Sequence, residues 1–136
     1  MAEKFGFNFE CEVRRRGYYP RGGGEVQMTT NPVKSLHGVE MLDRGNISHI
    51  AGFAWCAGTL PVKFKVARAM ADGARSVLHQ RLGHLPIEIN SVLVPSTISV
   101  GTATGIVLKA NSENGCILGS DLMGKKGNIL YLDPDE

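Results

Sequence analysis

The chain has 136 residues, of which 43% are hydrophobic and 21% charged, and its formal net charge is +2. This length suits one ordinary domain with its own core, and the composition excludes disordered, collagen-like and coiled-coil chains. No apolar run approaches the roughly 20 residues of a membrane span, and the acidic, aromatic start MAEKFGFNFE is unlike a secretory signal, so we expect an intracellular protein with no membrane partner.

The first thirty residues predict a two-stranded antiparallel hairpin. Residues 7–14 alternate apolar and polar side chains, which is the pattern of a strand with one buried face, and a second strand is predicted over residues 24–30. A long basic loop, marked by Pro20 and three consecutive glycines, connects them. Because an isolated hairpin is marginal in water, this part is expected to be less stable than the rest.

A strand and a helix are predicted next. Residues 47–55 are rich in β-branched and aromatic side chains and predict a strand. Apolar residues then recur at intervals of three and four, which predicts a helix over residues 61–82, with Pro61 in its first turn and Gly83 in the left-handed position after its end. The apolar stripe of this helix consists of Ala67, Met70, Ala71, Ala74, Val77, Leu78 and Leu82.

The opposite face of the predicted helix is polar. It carries Lys65, Arg68, Asp72, Arg75 and His79. We interpret it as a solvated face in which Arg68 and Asp72 pair at i, i+4, and an RNA-binding face is the alternative.

Three more strands are predicted over residues 87–94, 104–110 and 116–120. Asn114-Gly115 between the last two is a strong hairpin signal, since a two-residue turn of the favoured hand needs positive φ at both central positions. Residues 128–132 could add a short edge strand, and the final DPDE is expected to fray. One main helix and five or six strands predict an α+β fold, with the helix on a mostly antiparallel sheet.

The cysteines and histidines give no sign of catalysis or metal binding. The cysteines are odd in number and widely spaced, so buried thiols in a reducing compartment are the simplest interpretation of Cys11, Cys56 and Cys116. No histidine lies in a recognisable catalytic arrangement. We therefore interpret the histidines as surface or cap residues: His37, His49, His79 and His84.

The stretch RRRGYYPRGGGEV, residues 14–26, carries the candidate site. Consecutive glycines allow successive N–H groups to converge on an anion, arginine pairs bidentately with phosphate, and tyrosine stacks on unpaired bases. The structural alternative is that the glycines turn the chain, the arginines keep a sheet edge soluble and one tyrosine covers the hairpin. The candidate RNA-phosphate residues are Arg14, Arg16, Tyr18, Tyr19, Arg21, Gly22, Gly23 and Gly24.

Residues 16–26 resemble the signature of the RNA 3'-terminal phosphate cyclases, in which a basic residue, Gly, two variable residues, Pro, one variable residue and three Gly precede an aliphatic residue one position later. The stretches EKFGF, NPVKSL, DRG, AGTLP and GCILGSDLMGKKG resemble the same family in the same order. The likeness extends from about Glu3 to Gly127 and favours the catalytic branch over the nucleolar cyclase-like branch.

The resemblance implies three parts. These are a hairpin from the family's larger α/β-repeat domain over residues 1–32, the family's insert domain over residues 33–127 and a divergent tail over residues 128–136. The departure of the tail from the family pattern suggests a fragment or a splice form of a longer protein.

The resemblance also implies an activity. In this family an active-site histidine takes AMP from ATP, helped by a divalent metal, Mg or Mn, and passes it to an RNA 3'-phosphate. The neighbouring 2'-hydroxyl then displaces AMP to give a 2',3'-cyclic phosphate. No histidine here matches the nucleophile motif, so we carry over no catalytic residue and expect this chain alone to be inactive and to bind neither ATP nor metal strongly.

RNA 3' ends are the implied partner, the nucleus is favoured over the cytoplasm, and the oligomeric state is left open. Two alternatives remain: a non-catalytic cyclase-like module that binds RNA in ribosome biogenesis, and a partial product with no independent role.

Overall fold

The computed structural model describes residues 2–58 and 63–124. These residues form a short 3₁₀ helix (Ala2–Phe5), one α-helix, α1 (Lys63–Leu82), and seven strands. The strands are β1 (Phe9–Gly17), β2 (Glu25–Thr30), β3 (Ile47–Ala57), β4 (Ile87–Val94), β5 (Ser99–Val100), β6 (Ala103–Ser112) and β7 (Ile117–Met123).

The strands form two sheets, a small one in the order β2-β1-β5 and a larger one in the order β4-β3-β6-β7. In the larger sheet β6 is antiparallel to both of its neighbours, whereas β3 and β4 are parallel. A parallel pair needs a crossover connection, and α1 provides it. The predicted α+β fold with one main helix is confirmed, and the two-residue strand β5 was not predicted.

Helix α1 packs on the larger sheet through small side chains. Ala67, Ala71 and Ala74 are almost completely buried, and the last two belong to a core cluster with Ile89 and Ile106. The helix ends as predicted, with Gly83 at φ +65° and its N–H donating to the His79 carbonyl oxygen at 3.0 Å. The predicted first turn at position 61 lies outside the described residues.

The apolar stripe of α1 is buried only in part. Val77 and Leu82 are 42% and 38% exposed, because the helix lies mainly over β4 and β3 and leaves one flank uncovered. No helix in residues 2–58 and 63–124 is long and apolar enough to cross a membrane.

The polar face of α1 contains the predicted ion pair, with Arg68 Nε 3.6 Å from Asp72 Oδ2. A second arginine makes shorter contacts. Arg75 Nη1 lies 2.6 Å from Asp72 Oδ1, and Arg75 Nη2 donates to the Ile89 carbonyl oxygen at 2.7 Å. Arg75 therefore joins the helix to β4, which the sequence pattern did not indicate.

The hairpin of β1 and β2 is antiparallel, as predicted. The prediction that the first strand has one buried face is wrong, because every residue of both strands is exposed. The apolar side chains Phe9, Val13, Val26 and Met28 are between 44% and 61% exposed, and no described element covers them. Alternation correctly identified the strands but could not show whether a second layer lies over them.

The cysteine prediction holds for two residues. Cys56 and Cys116 are buried, whereas Cys11 is exposed, so the prediction of a buried thiol was wrong at position 11. Cys11 lies on the uncovered β1, which explains the difference.

The hairpin predicted at Asn114-Gly115 is confirmed, but the prediction of a two-residue turn is wrong. The Ser112 N–H donates to the Cys116 carbonyl oxygen at 3.0 Å, and the Gly115 N–H donates to the Ser112 carbonyl oxygen at 3.1 Å. Gly115 has φ +73°, and no described non-glycine residue has positive φ. This is a three-residue loop, in which only the last position must be left-handed.

Candidate nucleic-acid interface

The candidate site is the loop of residues 18–24 between β1 and β2, here called the basic loop, together with the end of β1. The loop closes on itself, since the Gly22 N–H donates to the Tyr18 carbonyl oxygen at 2.9 Å. Gly22 and Gly23 have φ of +63° and +75°, which favours glycine at both positions. The glycines therefore turn the chain, and the Gly22 amide is already used within the loop.

The glycines also allow close backbone contact at the base of the loop. A Cβ added at Gly17 would collide with the backbone of Gly22 and Gly24, and one at Gly24 would stand 3.0 Å from the Gly17 nitrogen. A Cβ at Gly22 would meet nothing within 4 Å. The loop is thus tight at its base and open to solvent at its tip.

Among the arginines of the candidate site, Arg14 is the one whose charge is offset by neighbouring carboxylates within residues 2–58 and 63–124. It is the extra residue of a bulge, because β1 pairs through Val13 and Arg15 with consecutive residues of β2. Its guanidinium lies 3.5 Å from Glu12 and 3.3 Å from Glu25. Arg14 is therefore the weakest of the predicted phosphate ligands.

The other three arginines of residues 14–21 have no carboxylate partner among the residues that the structure describes. Arg15, Arg16 and Arg21 are exposed and make no ion pair with any residue in the described part of the chain. Their positive charge is available to an anion from solvent. Arg15 was absent from the predicted site, although the run of three arginines in the sequence was a usable signal.

The two adjacent tyrosines lie in different surroundings. The Tyr18 ring stacks on the Trp55 indole, with centroids 4.9 Å apart and planes at 17°. Burial raises the pKa of the Tyr18 hydroxyl, and the nearby Arg16 charge lowers it in part. Tyr19 is 94% exposed. Tyr19 is therefore free to stack on a base, whereas Tyr18 is packed against the larger sheet.

Strand β5 connects the base of the loop to the rest of the molecule. Arg16 and Gly17 pair in parallel with Ser99 and Val100. The Arg16 N–H donates to the Ile98 carbonyl oxygen at 2.8 Å, and the Tyr18 N–H donates to the Val100 carbonyl oxygen at 3.0 Å. No sequence pattern predicted this junction, because β1 and β5 are far apart in the chain.

The histidines lie outside this loop. All four are exposed, as predicted, and two have polar neighbours: His49 Nε2 lies 2.8 Å from Asn111 Nδ2, and His79 Nδ1 lies 3.3 Å from the Gly83 carbonyl oxygen. In residues 2–58 and 63–124 no group of three or more His, Cys, Asp or Glu side chains could hold a metal ion.

A model of the insert domain of RNA 3'-terminal phosphate cyclase matches residues 42–129 of this chain. The chain belongs to the RNA 3'-terminal phosphate cyclase family. It is 40% identical over 130 residues to the RNA 3'-terminal phosphate cyclase of Hyperthermus butylicus, 35% over 126 residues to that of Methanopyrus kandleri and 31% over 129 residues to that of Drosophila melanogaster.

These alignments to RNA 3'-terminal phosphate cyclases cover 92–93% of this chain and 35% of each relative. The chain thus spans about a third of the length of the curated relatives that it matches. The range that matches the cyclase insert domain contains α1 and the four strands of the larger sheet, and the hairpin with its basic loop precedes it. The family resemblance of the sequence is confirmed.

Proposed function

We propose that this chain is the part of an RNA 3'-terminal phosphate cyclase that holds the end of a single-stranded RNA. In the complete protein, ATP, a divalent metal and a nucleophilic histidine supplied by other parts of the cyclase would convert the RNA 3'-phosphate to a 2',3'-cyclic phosphate. This chain alone contributes binding and is inactive. The proposal rests on family membership and on the chemistry of the basic loop.

The observation that carries the binding role is the exposure of Arg21 and Tyr19 on one tight loop and of Arg16 at the end of β1 beside it. Guanidinium groups without a carboxylate partner pair with phosphate oxygens at little electrostatic cost. An exposed tyrosine ring stacks on an unpaired base, which is how proteins commonly hold single strands. Arg14, held by Glu12 and Glu25, has a smaller part.

The test is a binding titration with a short fluorescein-labelled single-stranded RNA that ends in a 3'-phosphate, followed by anisotropy at several salt concentrations. The Arg16→Ala/Arg21→Ala double variant should bind more weakly. If each arginine contacts one phosphate, the negative slope of log K against log salt should become less steep by about 1.4. Lys109→Ala removes an exposed charge on β6 and is the matched control, with no expected change. Equal binding by the double variant and the wild type would refute the RNA-binding role.

A second comparison separates end recognition from general RNA binding. RNA ending in a 3'-phosphate should bind more tightly than the same RNA ending in a 3'-hydroxyl. Equal affinity would contradict end recognition and would favour a non-catalytic RNA-binding module of the cyclase-like type.

The inactivity of the isolated chain is tested by incubating it with labelled ATP and Mg or Mn. No acid-labile label should remain on the protein. Retained label would show that the nucleophile lies within these 136 residues.

A further inference from the structure

We infer that Tyr18 and Trp55 are positioning residues, which hold the basic loop on the insert domain and thereby orient the groups that contact RNA. This inference rests on the RNA-binding role proposed above. It gives the two neighbouring tyrosines separate tasks: Tyr19 contacts the ligand, and Tyr18 does not.

The junction that holds the loop is short. Three consecutive residues of the hairpin supply it: Arg16 and Tyr18 donate their N–H groups to the carbonyl oxygens of Ile98 and Val100, and Gly17 lies between them. Besides β2, the strand with which β1 pairs in the described residues is β5. The Tyr18 side chain adds the aromatic contact of this junction, through its stack on the Trp55 indole.

Trp55 is a rigid platform for that contact. It lies on the central strand β3 and is only 8% exposed. Its indole lies against Gly105 on β6, and it clusters with the buried Ala57 and Val94. Because the Trp55 indole is held by its neighbours, it cannot move together with Tyr18. The indole therefore sets the orientation of the Tyr18 ring.

Tyr18 is confined on another side as well. Gly101, at φ +92°, lies so close that a Cβ at that position would stand 3.3 Å from the Tyr18 carbonyl oxygen and 3.4 Å from its Cβ. The backbone and the ring of Tyr18 are therefore both fixed, directly before the residues that project into solvent. Tyr19 follows immediately, Arg21 lies three residues later, and Arg16 lies two residues earlier.

Without the stack, the arginines would keep their charge but lose a fixed arrangement. RNA binding would then have to order the loop, and this ordering weakens affinity without removing any phosphate contact. An aromatic pair of this kind corresponds to an affinity change of up to about tenfold. The number of phosphate contacts, and with it the salt dependence, should stay the same.

The experiment compares Tyr18→Ala, Tyr18→Phe and Arg16→Ala/Arg21→Ala in the same RNA titration. Tyr18→Ala should lose up to about tenfold in affinity and keep the wild-type salt slope, whereas Tyr18→Phe, which retains the ring, should bind as the wild type does. Trp55 is the single tryptophan of the chain, so its fluorescence reports directly on the stack. Its emission should change in Tyr18→Ala and not in Tyr18→Phe.

Four outcomes would overturn the inference. If Tyr18→Ala binds like the wild type while the arginine variant is weakened, the RNA-binding role stands and the positioning role is wrong. If Tyr18→Phe is as weak as Tyr18→Ala, the Tyr18 hydroxyl acts on the RNA itself. If Tyr18→Ala makes the salt dependence of binding less steep, phosphate contacts are lost, and the inference that only their arrangement changes is wrong. If the arginine variant binds like the wild type, the RNA-binding role fails and this inference fails with it.

Tyr18→Leu, which keeps apolar volume without an aromatic face, replaces Tyr18→Ala if circular dichroism shows that the alanine variant is unfolded.

Discussion

The Trp55 indole lies over Gly105, and a Cβ added at position 105 would stand 2.8 Å from the ring and 2.9 Å from the Leu122 carbonyl oxygen. Neither neighbour can move easily, since one is a buried ring and the other is backbone. Gly105→Ala should therefore lower the free energy of unfolding by about 1–3 kcal/mol, which urea denaturation measures.

Gly73→Ala is the matched control for that substitution. Gly73 lies within α1, and a Cβ there would meet nothing within 4 Å. The same chemical change should raise the free energy of unfolding by about 0.5–1 kcal/mol, because alanine loses less backbone entropy than glycine on forming a helix. If both substitutions changed the free energy of unfolding with the same sign, the close packing of Gly105 against Trp55 and Leu122 would be contradicted.

Arg75 and Arg68 should differ in their contribution to stability, although both pair with Asp72. Arg75 is 36% exposed and also donates to the Ile89 carbonyl oxygen, whereas Arg68 is 70% exposed and lies 3.6 Å from its partner. Arg75→Ala should cost about 1–2 kcal/mol in chemical denaturation. Arg68→Ala should change stability by less than about 0.5 kcal/mol. Equal losses would mean that the bond from Arg75 to β4 contributes nothing.

The sequence predicted the elements whose signal is local. The apolar period of α1 and Gly83 correctly predicted the end of the helix, and the strand predicted over residues 87–94 has the bounds of β4. Strand β5 could not be found in this way, because Ser99 and Val100 become a strand only through pairing with β1. The exposed face of the hairpin was mispredicted for a related reason, since periodicity indicates a face and not what covers it.

The candidate site shows the same division. The arginines and glycines of the candidate site could be chosen from the sequence, because guanidinium charge and glycine flexibility are properties of the individual residues. The different positions of Tyr18 and Tyr19 depend on Trp55, which is distant in the chain, so two adjacent tyrosines looked equivalent. Likewise, the sequence could not show that Arg14 is paired with a carboxylate while, within the described structure, Arg16 and Arg21 are not. That difference depends on the bulge, which brings Arg14 to Glu25.

Hydrogen exchange should divide the chain into a fast and a slow part. Strands β1 and β2 are exposed along their whole length, and β1 is joined to β5 by two residue pairs. Strands β3 and β6 lie in the middle of the larger sheet and contain its core residues Ala54 and Ile106. Exchange measured by mass spectrometry should therefore be faster in the hairpin, since local opening follows low burial. Equal protection of β1 and β3 would contradict this expectation.

The alkaline stability of the protein should depend on Tyr18. Burial raises the pKa of its hydroxyl above the usual value, so the folded state favours the neutral ring. This contribution is fully present below the unfolded tyrosine pKa of about 10 and is lost as the pH rises through the higher folded value. Tyr18→Phe removes the titrating group and should reduce the loss of stability in that range, measured by denaturation at a series of alkaline pH values.

Arg16 provides a test of the cause of this shift. Its positive charge lowers the pKa of Tyr18, against the larger effect of burial. Arg16→Ala removes the charge and leaves the ring on Trp55, so the pKa of Tyr18 should rise further. Phenolate absorbance gives this value in a Tyr19→Phe/Tyr131→Phe background, where Tyr18 is the one remaining tyrosine of the chain. A lower pKa in the Arg16 variant would mean that the ring had left the indole, because solvent exposure is the change that would bring the hydroxyl back toward its ordinary value.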